Sequence, residues 1–118
     1  MARIGLVYLY VTDLARSYAF YRDLLGIPLE ADAEDPHWAE ATLDGGVRFA
    51  IHLAPGGSAP QTPGTVRVNF EVDDIDAEAE RLRAAGVSIG EVEREPWGSM
   101  VEVIDPDGYA VELYARPR

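Results

Sequence analysis

The chain has 118 residues, the length of one domain, and its 21 acidic and 10 basic residues give a net charge of −11. This acidic balance argues against nucleic acid and anionic membranes as partners, because both favour clustered lysine and arginine. The absence of cysteine excludes disulfides, thiolate metal sites and thiol nucleophiles. The apolar start is too short to span a membrane and lacks a signal cleavage site, so we expect a cytoplasmic location.

The first half of the chain predicts a strand, a helix and further short strands. In YVTDLARSYAFYRDLLGI (10–27) the strand turns at Asp13, which can cap the helix, and the helix stops at Gly26. The predicted apolar stripe of this helix consists of Leu14, Tyr18, Tyr21 and Leu25. Strand-like runs follow in HWAEATLD and VRFAIHLA, and alternation in the second run turns His52 away from its most apolar side.

The second half repeats this order after a break rich in glycine, proline and serine. EVDDIDAEAERLRAAGV (71–87) turns at Asp74 and stops at Gly86, and SMVEVID and YAVELYA follow as strands. An offset of about 60 residues relates the two halves and matches His52 to Glu112. Each half packs a helix on one sheet face, so we expect the other two faces to curl around a shared concave surface.

Three motifs make the chain resemble a known family. VTDLARSYAFYRDLLG, the PWG at 96–98 and DPDGYAVEL (105–113) are similar to the vicinal oxygen chelate superfamily, which includes glyoxalase I, extradiol dioxygenases and the fosfomycin- and bleomycin-resistance proteins. The resemblance covers nearly the whole chain and implies an α+β fold of two tandem βαβββ modules, with helices outside a curled mixed sheet. It also implies one domain over 1–118, with module 1 at about 1–54, a linker at 55–65 and module 2 at about 66–118.

The resemblance also implies where a metal would bind. In metal-using members the ligands come from the first and last strands of each module, which here correspond to Leu6, His52, Arg67 and Glu112. Leucine has no donor atom and arginine is cationic, so only His52 and Glu112 remain as fallback ligands. We therefore expect no catalytic metal and no cofactor. We also expect Arg67 to neutralise Glu112 through a bidentate hydrogen bond.

Strand alternation and the tryptophans indicate which residues line the concave face. A flat ligand can stack on Trp38 and Trp97, while nearby glutamates attract positive charge on it. Alternatively, each tryptophan fills a gap at a strand start or lies in a dimer interface. The predicted ligand-binding residues are Tyr8, Trp38, His52, Arg67, Asn69, Trp97, Glu112 and Tyr114.

The leading functional interpretation is a small-molecule binding protein. Within the superfamily, the chain most resembles the metal-free bleomycin-resistance-type binding proteins. This resemblance implies a homodimer that sequesters an aromatic or cationic metabolite or antibiotic. The alternative is a lyase, isomerase or dioxygenase of the same superfamily in which His52 and Glu112 are catalytic, with a metal or as metal-free acid and base. A third possibility is an assembly module whose concave face is filled by its own side chains.

Overall fold

A computed structural model describes residues 4–57 and 67–117 of the chain. The chain divides into two compact units, Met1–Gln61 and Thr62–Arg118, for which we keep the names module 1 and module 2. Of the predicted linker, Pro55–Gly57 forms a 3₁₀ turn and residues 58–65 lie outside the described part of the chain. The assignment of both modules to one domain around a shared concave face stays a prediction.

Each module has the order strand, helix, strand, strand, strand. The elements of module 1 are β1 (Leu6–Val11), α1 (Leu14–Tyr18), β2 (Glu30–Ala31), β3 (Trp38–Thr42) and β4 (Arg48–Leu53). The elements of module 2 are β5 (Asn69–Glu71), α2 (Ile75–Ala84), β6 (Glu93–Glu95), β7 (Gly98–Ile104) and β8 (Ala110–Ala115). The sheets are ordered β1-β4-β3-β2 and β5-β8-β7-β6, with the first pair of each parallel and the other pairs antiparallel. The predicted α+β fold of two tandem βαβββ modules is confirmed.

The helix of module 1 changes its winding after its first turns. Asp13 caps it by accepting a hydrogen bond from the Arg16 backbone N–H at 3.0 Å. From Ala19 to Leu24 the chain continues as a π-helix, and the Leu25 N–H donates to the Phe20 carbonyl five residues earlier. The helical run ends at Gly26 with φ of 77°, the left-handed conformation that glycine adopts at low cost.

This wider turn makes the predicted apolar stripe wrong in part. Ser17, Phe20 and Tyr21 are buried, whereas Leu14, Tyr18 and Leu25 are only half-buried. Phe20 and its neighbour Tyr21 are both buried within the π-helical segment. Their rings meet edge to face at 5.0 Å, and Tyr21 also contacts the Phe49 ring.

The helix of module 2 follows its sequence pattern. Asp74 caps α2 by accepting from the Ala77 N–H, and Gly86 follows its end with φ of 80°. Its buried stripe of Ile75, Ala79 and Leu82 matches the predicted spacing. The buried apolar side chains on the strands of this module are Phe70, Val101, Val103, Val111, Leu113 and Ala115.

The longer strands mostly bury the predicted side, although β4 also buries Ala50 and leaves Leu53 half-buried, and β2 and β6 are exposed throughout. In β3, Ala39 and Ala41 are buried while Trp38 and Glu40 are half-buried, and β8 alternates in the same way. The side chains opposite the buried set belong to the predicted ligand-binding residues and their neighbours. Within the described ranges, no helix has the length and apolar character needed to cross a membrane.

Candidate functional site

Four rings gather on the accessible sheet face of module 1. Tyr10 and Trp38 lie opposite His52 on its two neighbouring strands, and Tyr8 lies on the same face of β1 two residues before Tyr10. Tyr8 and Tyr10 are 44% and 43% exposed, unusually accessible for large aromatic side chains in a sheet. We call these four residues, Tyr8, Tyr10, Trp38 and His52, the aromatic platform.

The rings of the platform pack against one another. Ring centroids lie 5.6 Å apart for Tyr8 and Trp38, 5.5 Å for Trp38 and His52, and 5.6 Å for Tyr10 and His52. These separations suit direct edge and tilted contacts, so the rings fill the space between them and present an aromatic surface. A hydrogen bond to Tyr8, followed by electrostatic repulsion from it and by burial, raises the pKa of Tyr10. Tyr10 therefore remains a neutral phenol at physiological pH.

His52 is oriented by its own backbone. Its Nδ1 lies 2.7 Å from the Leu53 carbonyl oxygen, and because a carbonyl can only accept, Nδ1 carries the hydrogen. In the neutral ring, Nε2 then has a free lone pair. No hydrogen bond joins this atom to any other residue in the described part of the chain.

A glutamate and an arginine support the platform from the side. Glu40 accepts the Trp38 indole N–H at 3.2 Å with one carboxylate oxygen. Its other oxygen accepts from Arg48 at 3.1 Å. This arrangement holds the indole ring in place and pairs the negative charge of Glu40 with a neighbouring cation.

The corresponding face of module 2 is charged. Glu112, the counterpart of His52, lies between Asn69 on β5 and Glu102 on β7. Arg67 donates a hydrogen bond to Glu102, and its nearest approach to Glu112 is 3.9 Å. The expectation of a bidentate hydrogen bond between Arg67 and Glu112 is therefore wrong. Glu102 on β7 accepts the hydrogen bond from Arg67 instead.

We call Arg67, Glu102 and Glu112 the arginine–glutamate cluster. Hydrogen bonding to Glu102 and the negative charges of Glu102 and Glu112 raise the pKa of Arg67 against the opposing effect of desolvation. Arg67 thus stays fully charged. The cluster borders an open groove of about 450 Å³, and the two carboxylates and the arginine leave it with a net negative charge.

Trp97 lies in the turn between β6 and β7. Its ring stacks on Tyr114 at 6.3 Å and is 53% exposed, and the Tyr114 hydroxyl donates to the Trp97 carbonyl at 2.8 Å. Gly98 makes this stack possible because a Cβ there would overlap the Tyr114 ring and lie 2.7 Å from the Ala115 carbonyl. Trp97 is therefore held as an accessible ring on module 2.

The predicted site residues fall into these two groups. Tyr8, Trp38 and His52 come together on module 1, and the module 2 set is Arg67, Asn69, Trp97, Glu112 and Tyr114. Leu6, by contrast, pairs with Arg48 rather than lying beside His52. The predicted ligand set omitted Tyr10 and Glu102, although alternation along β1 and β7 places both on the accessible faces.

The donor set does not fit a resident divalent ion. Of the four positions implied by the family, Leu6 has no donor atom, and Arg67 is a cation bound to Glu102. His52 and Glu112 belong to different modules. In residues 4–57 and 67–117, no group of three or more histidine, aspartate or glutamate side chains is arranged to hold an ion. A catalytic ion usually has three protein ligands.

We predict that protein purified without chelator carries well under one equivalent of zinc, nickel, manganese or iron. The reason is that only His52 and Glu112, of the four family positions, offer donor atoms. Elemental analysis of dialysed protein measures this directly, with His52→Ala as the matched control. Stoichiometric metal in the wild type that disappears in His52→Ala would contradict the prediction.

With this geometry established, comparison with known proteins identifies the family. The chain belongs to the Glyoxalase/Bleomycin resistance protein/Dioxygenase superfamily, whose sequence profile matches residues 3–113. The resemblance carried by the opening motif and the DPDG ending is thereby confirmed.

Individual relatives differ in what they do. The chain is 37% identical over 119 residues to a lactoylglutathione lyase of Haemophilus influenzae, covering 89% of this chain and 86% of the relative. It is 32% identical over 115 residues to the uncharacterised protein YaeR of Escherichia coli, covering 87% and 88%. The crystal structure of TnmS3, an antibiotic-binding protein from Streptomyces sp. CB03234, superposes with a TM-score of 0.78 at 26% identity, covering 99% and 98%. Family membership thus leaves both binding and catalysis open.

Proposed function

We propose that the protein binds a flat aromatic molecule on the aromatic platform and sequesters it without chemical change and without a metal. The observation that carries this proposal is the exposure of Tyr8 and Tyr10 beside Trp38 and His52 on one sheet face. Single exposed aromatic side chains are common on protein surfaces, but a contiguous group of accessible rings marks an interaction or ligand-binding surface. A planar ligand that covers these rings would remove apolar surface from water and gain stacking contacts.

We further propose that module 2 offers ligand-binding groups of its own. Trp97 stacked on Tyr114 offers a second accessible ring, and Asn69, Arg67 and Glu112 offer polar groups. The net charge of −11 favours cationic aromatic ligands through the long-range field. An antibiotic or a metabolite of this chemistry fits the antibiotic-binding relative TnmS3. Homodimeric assembly and a cytoplasmic location stay predictions.

Fluorescence titration tests this function. The variants Trp97→Phe and Trp38→Phe each leave one tryptophan as reporter, and the probes are 9-aminoacridine, 2-naphthol and 2-naphthoate. We expect quenching of Trp38 by the cation and the neutral compound, with the cation losing affinity as salt screens the field. Calorimetry on the same samples corrects for absorption by the probes.

Two results would contradict the proposal. Failure of every aromatic probe to bind by either method would leave the rings as packing residues of an assembly module. A preference for 2-naphthoate would instead indicate Arg67 as the anchor and would favour an enzyme that acts on acidic metabolites.

A second candidate function is catalysis by the same face. His52 favours it, because a ring with hydrogen on Nδ1 and a free Nε2 can accept a proton from a substrate. The 37% identity to a lactoylglutathione lyase points to that activity as the one to assay. Turnover by the wild type that is lost in His52→Ala would replace the binding proposal.

A further inference from the structure

The aromatic platform contains one polar atom with unused hydrogen-bonding capacity. Nδ1 of His52 is held by the Leu53 carbonyl, so the neutral ring has Nε2 as an acceptor. Tyr10 and Trp38 contact the ring from both neighbouring strands, at 5.6 Å and 5.5 Å between centroids. These contacts limit the orientations that the imidazole can adopt. His52 therefore offers a hydrogen-bond acceptor in a defined position among three aromatic rings.

The carboxylate of Glu40, which contacts Trp38 of the platform, already has two hydrogen-bond partners. Both oxygens of Glu40 accept hydrogen bonds, one from Trp38 and one from Arg48, and the arginine neutralises its charge. A cationic ligand would have to compete with Arg48 for that carboxylate. The overall charge of −11 can attract a cation towards the protein, but it gives no directed contact at the rings.

We infer that the molecule recognised by the platform is a planar aromatic carrying a hydrogen-bond donor, a phenolic hydroxyl or a ring N–H, aimed at Nε2 of His52. This inference rests on the proposed binding function and adds the chemical class of the ligand. A ligand donor at this position exchanges its hydrogen bond to water for a hydrogen bond to Nε2, so the free-energy cost of its desolvation is compensated. An analogue without the donor would cover Nε2 and leave it without a hydrogen bond. The site should therefore bind ligands that carry the donor more tightly than analogues that lack it.

Calorimetry with 2-naphthol and its methyl ether, 2-methoxynaphthalene, tests the inference at mildly alkaline pH, where imidazoles are neutral. We expect the wild type to bind 2-naphthol about ten-fold more tightly than the ether, as one satisfied hydrogen bond allows. In His52→Phe, which keeps an aromatic ring without an acceptor, the ratio of the two affinities should fall to near one. His52→Gln retains an acceptor oxygen and should restore part of the ratio.

The outcomes separate this inference from the function on which it rests. Equal binding of both compounds by the wild type, or an unchanged ratio in folded His52→Phe, overturns the role of Nε2 and leaves the binding function standing. Absence of binding of either compound overturns the binding function itself. Should His52→Phe fail to fold, His52→Leu replaces it as a variant without an acceptor, and an unchanged ratio in folded His52→Leu likewise overturns the role of Nε2.

Discussion

Replacement of Gly98 by alanine is expected to destabilise the protein by about 3 kcal/mol, since a strained backbone and an overpacked site each cost about 1–3 kcal/mol. Gly98 has φ of +143°, a conformation that residues with a Cβ rarely adopt. The added methyl group would also collide with the Tyr114 ring and lie 2.7 Å from the Ala115 carbonyl oxygen. Movement of Tyr114 would relieve only the first collision and would break its stack with Trp97, whereas the second involves the backbone of β8. Urea unfolding followed by circular dichroism measures the loss.

Gly90→Ala is the matched control for this experiment. Gly90 also belongs to module 2, but it has no positive φ, and the nearest atom to an added Cβ is the Glu102 carbonyl oxygen at 3.8 Å. We expect the control to change the free energy of unfolding by no more than about 0.5 kcal/mol, as is usual away from packed or strained positions. Equal stability of the two variants would show that the Tyr114 ring and the local backbone adjust without cost.

Removal of two rings from the platform is expected to weaken ligand binding about 100-fold, since stacking of a flat ligand on an aromatic side chain is worth about 1–3 kcal/mol per ring. The variant is Tyr8→Ala with Trp38→Ala, which deletes two rings whose centroids lie 5.6 Å apart. Calorimetric titration with 2-naphthol gives the affinity. We expect the double variant to remain folded, because Tyr8 is 44% exposed and Trp38 is half-buried. The loss should therefore appear in the binding affinity.

Two further variants make this result specific. Trp38→Phe keeps an aromatic face but loses the hydrogen bond to Glu40, so it should retain most of the affinity. Trp97→Ala tests the prediction that Trp97 stacks on a flat ligand, for which we expect about a ten-fold loss of affinity. Unchanged affinity in the double variant would exclude the platform as the binding surface.

The family contains both an antibiotic-binding protein and lyases on one architecture, so the side chains on the accessible sheet faces decide the activity. In this chain the four family metal positions include a leucine and an arginine, and the arginine pairs with Glu102. The same faces carry rings on module 1 and charges on module 2. This division favours recognition of a planar ligand over chemistry that needs an ion.

Local features of the fold could be predicted from the sequence. Asp13 and Asp74 cap the helices, and Gly26 and Gly86 end them in the left-handed conformation. These features depend on residues within one helical turn of each other, so the amino acids present are sufficient to specify them. The accessible faces of β1, β3 and β8 were equally predictable, because side chains alternate with a period of two.

The partners of the site residues were decided only by the tertiary structure. Arg67 bonds to Glu102, which is 35 residues away in sequence, and Tyr10 rather than Leu6 lies beside His52. Alternation along a strand predicts which face of the sheet a side chain occupies. The register between strands determines which residue lies opposite, and that register depends on backbone hydrogen bonds and packing across the sheet. The π-helical segment is another case, since the backbone winds differently from Ala19 to Leu24 and Phe20 is buried, although the predicted stripe did not include it. The sequence by itself thus determined the helix caps and the accessible side of most longer strands, and the folded sheets determined which side chains meet, because those contacts join residues distant along the chain.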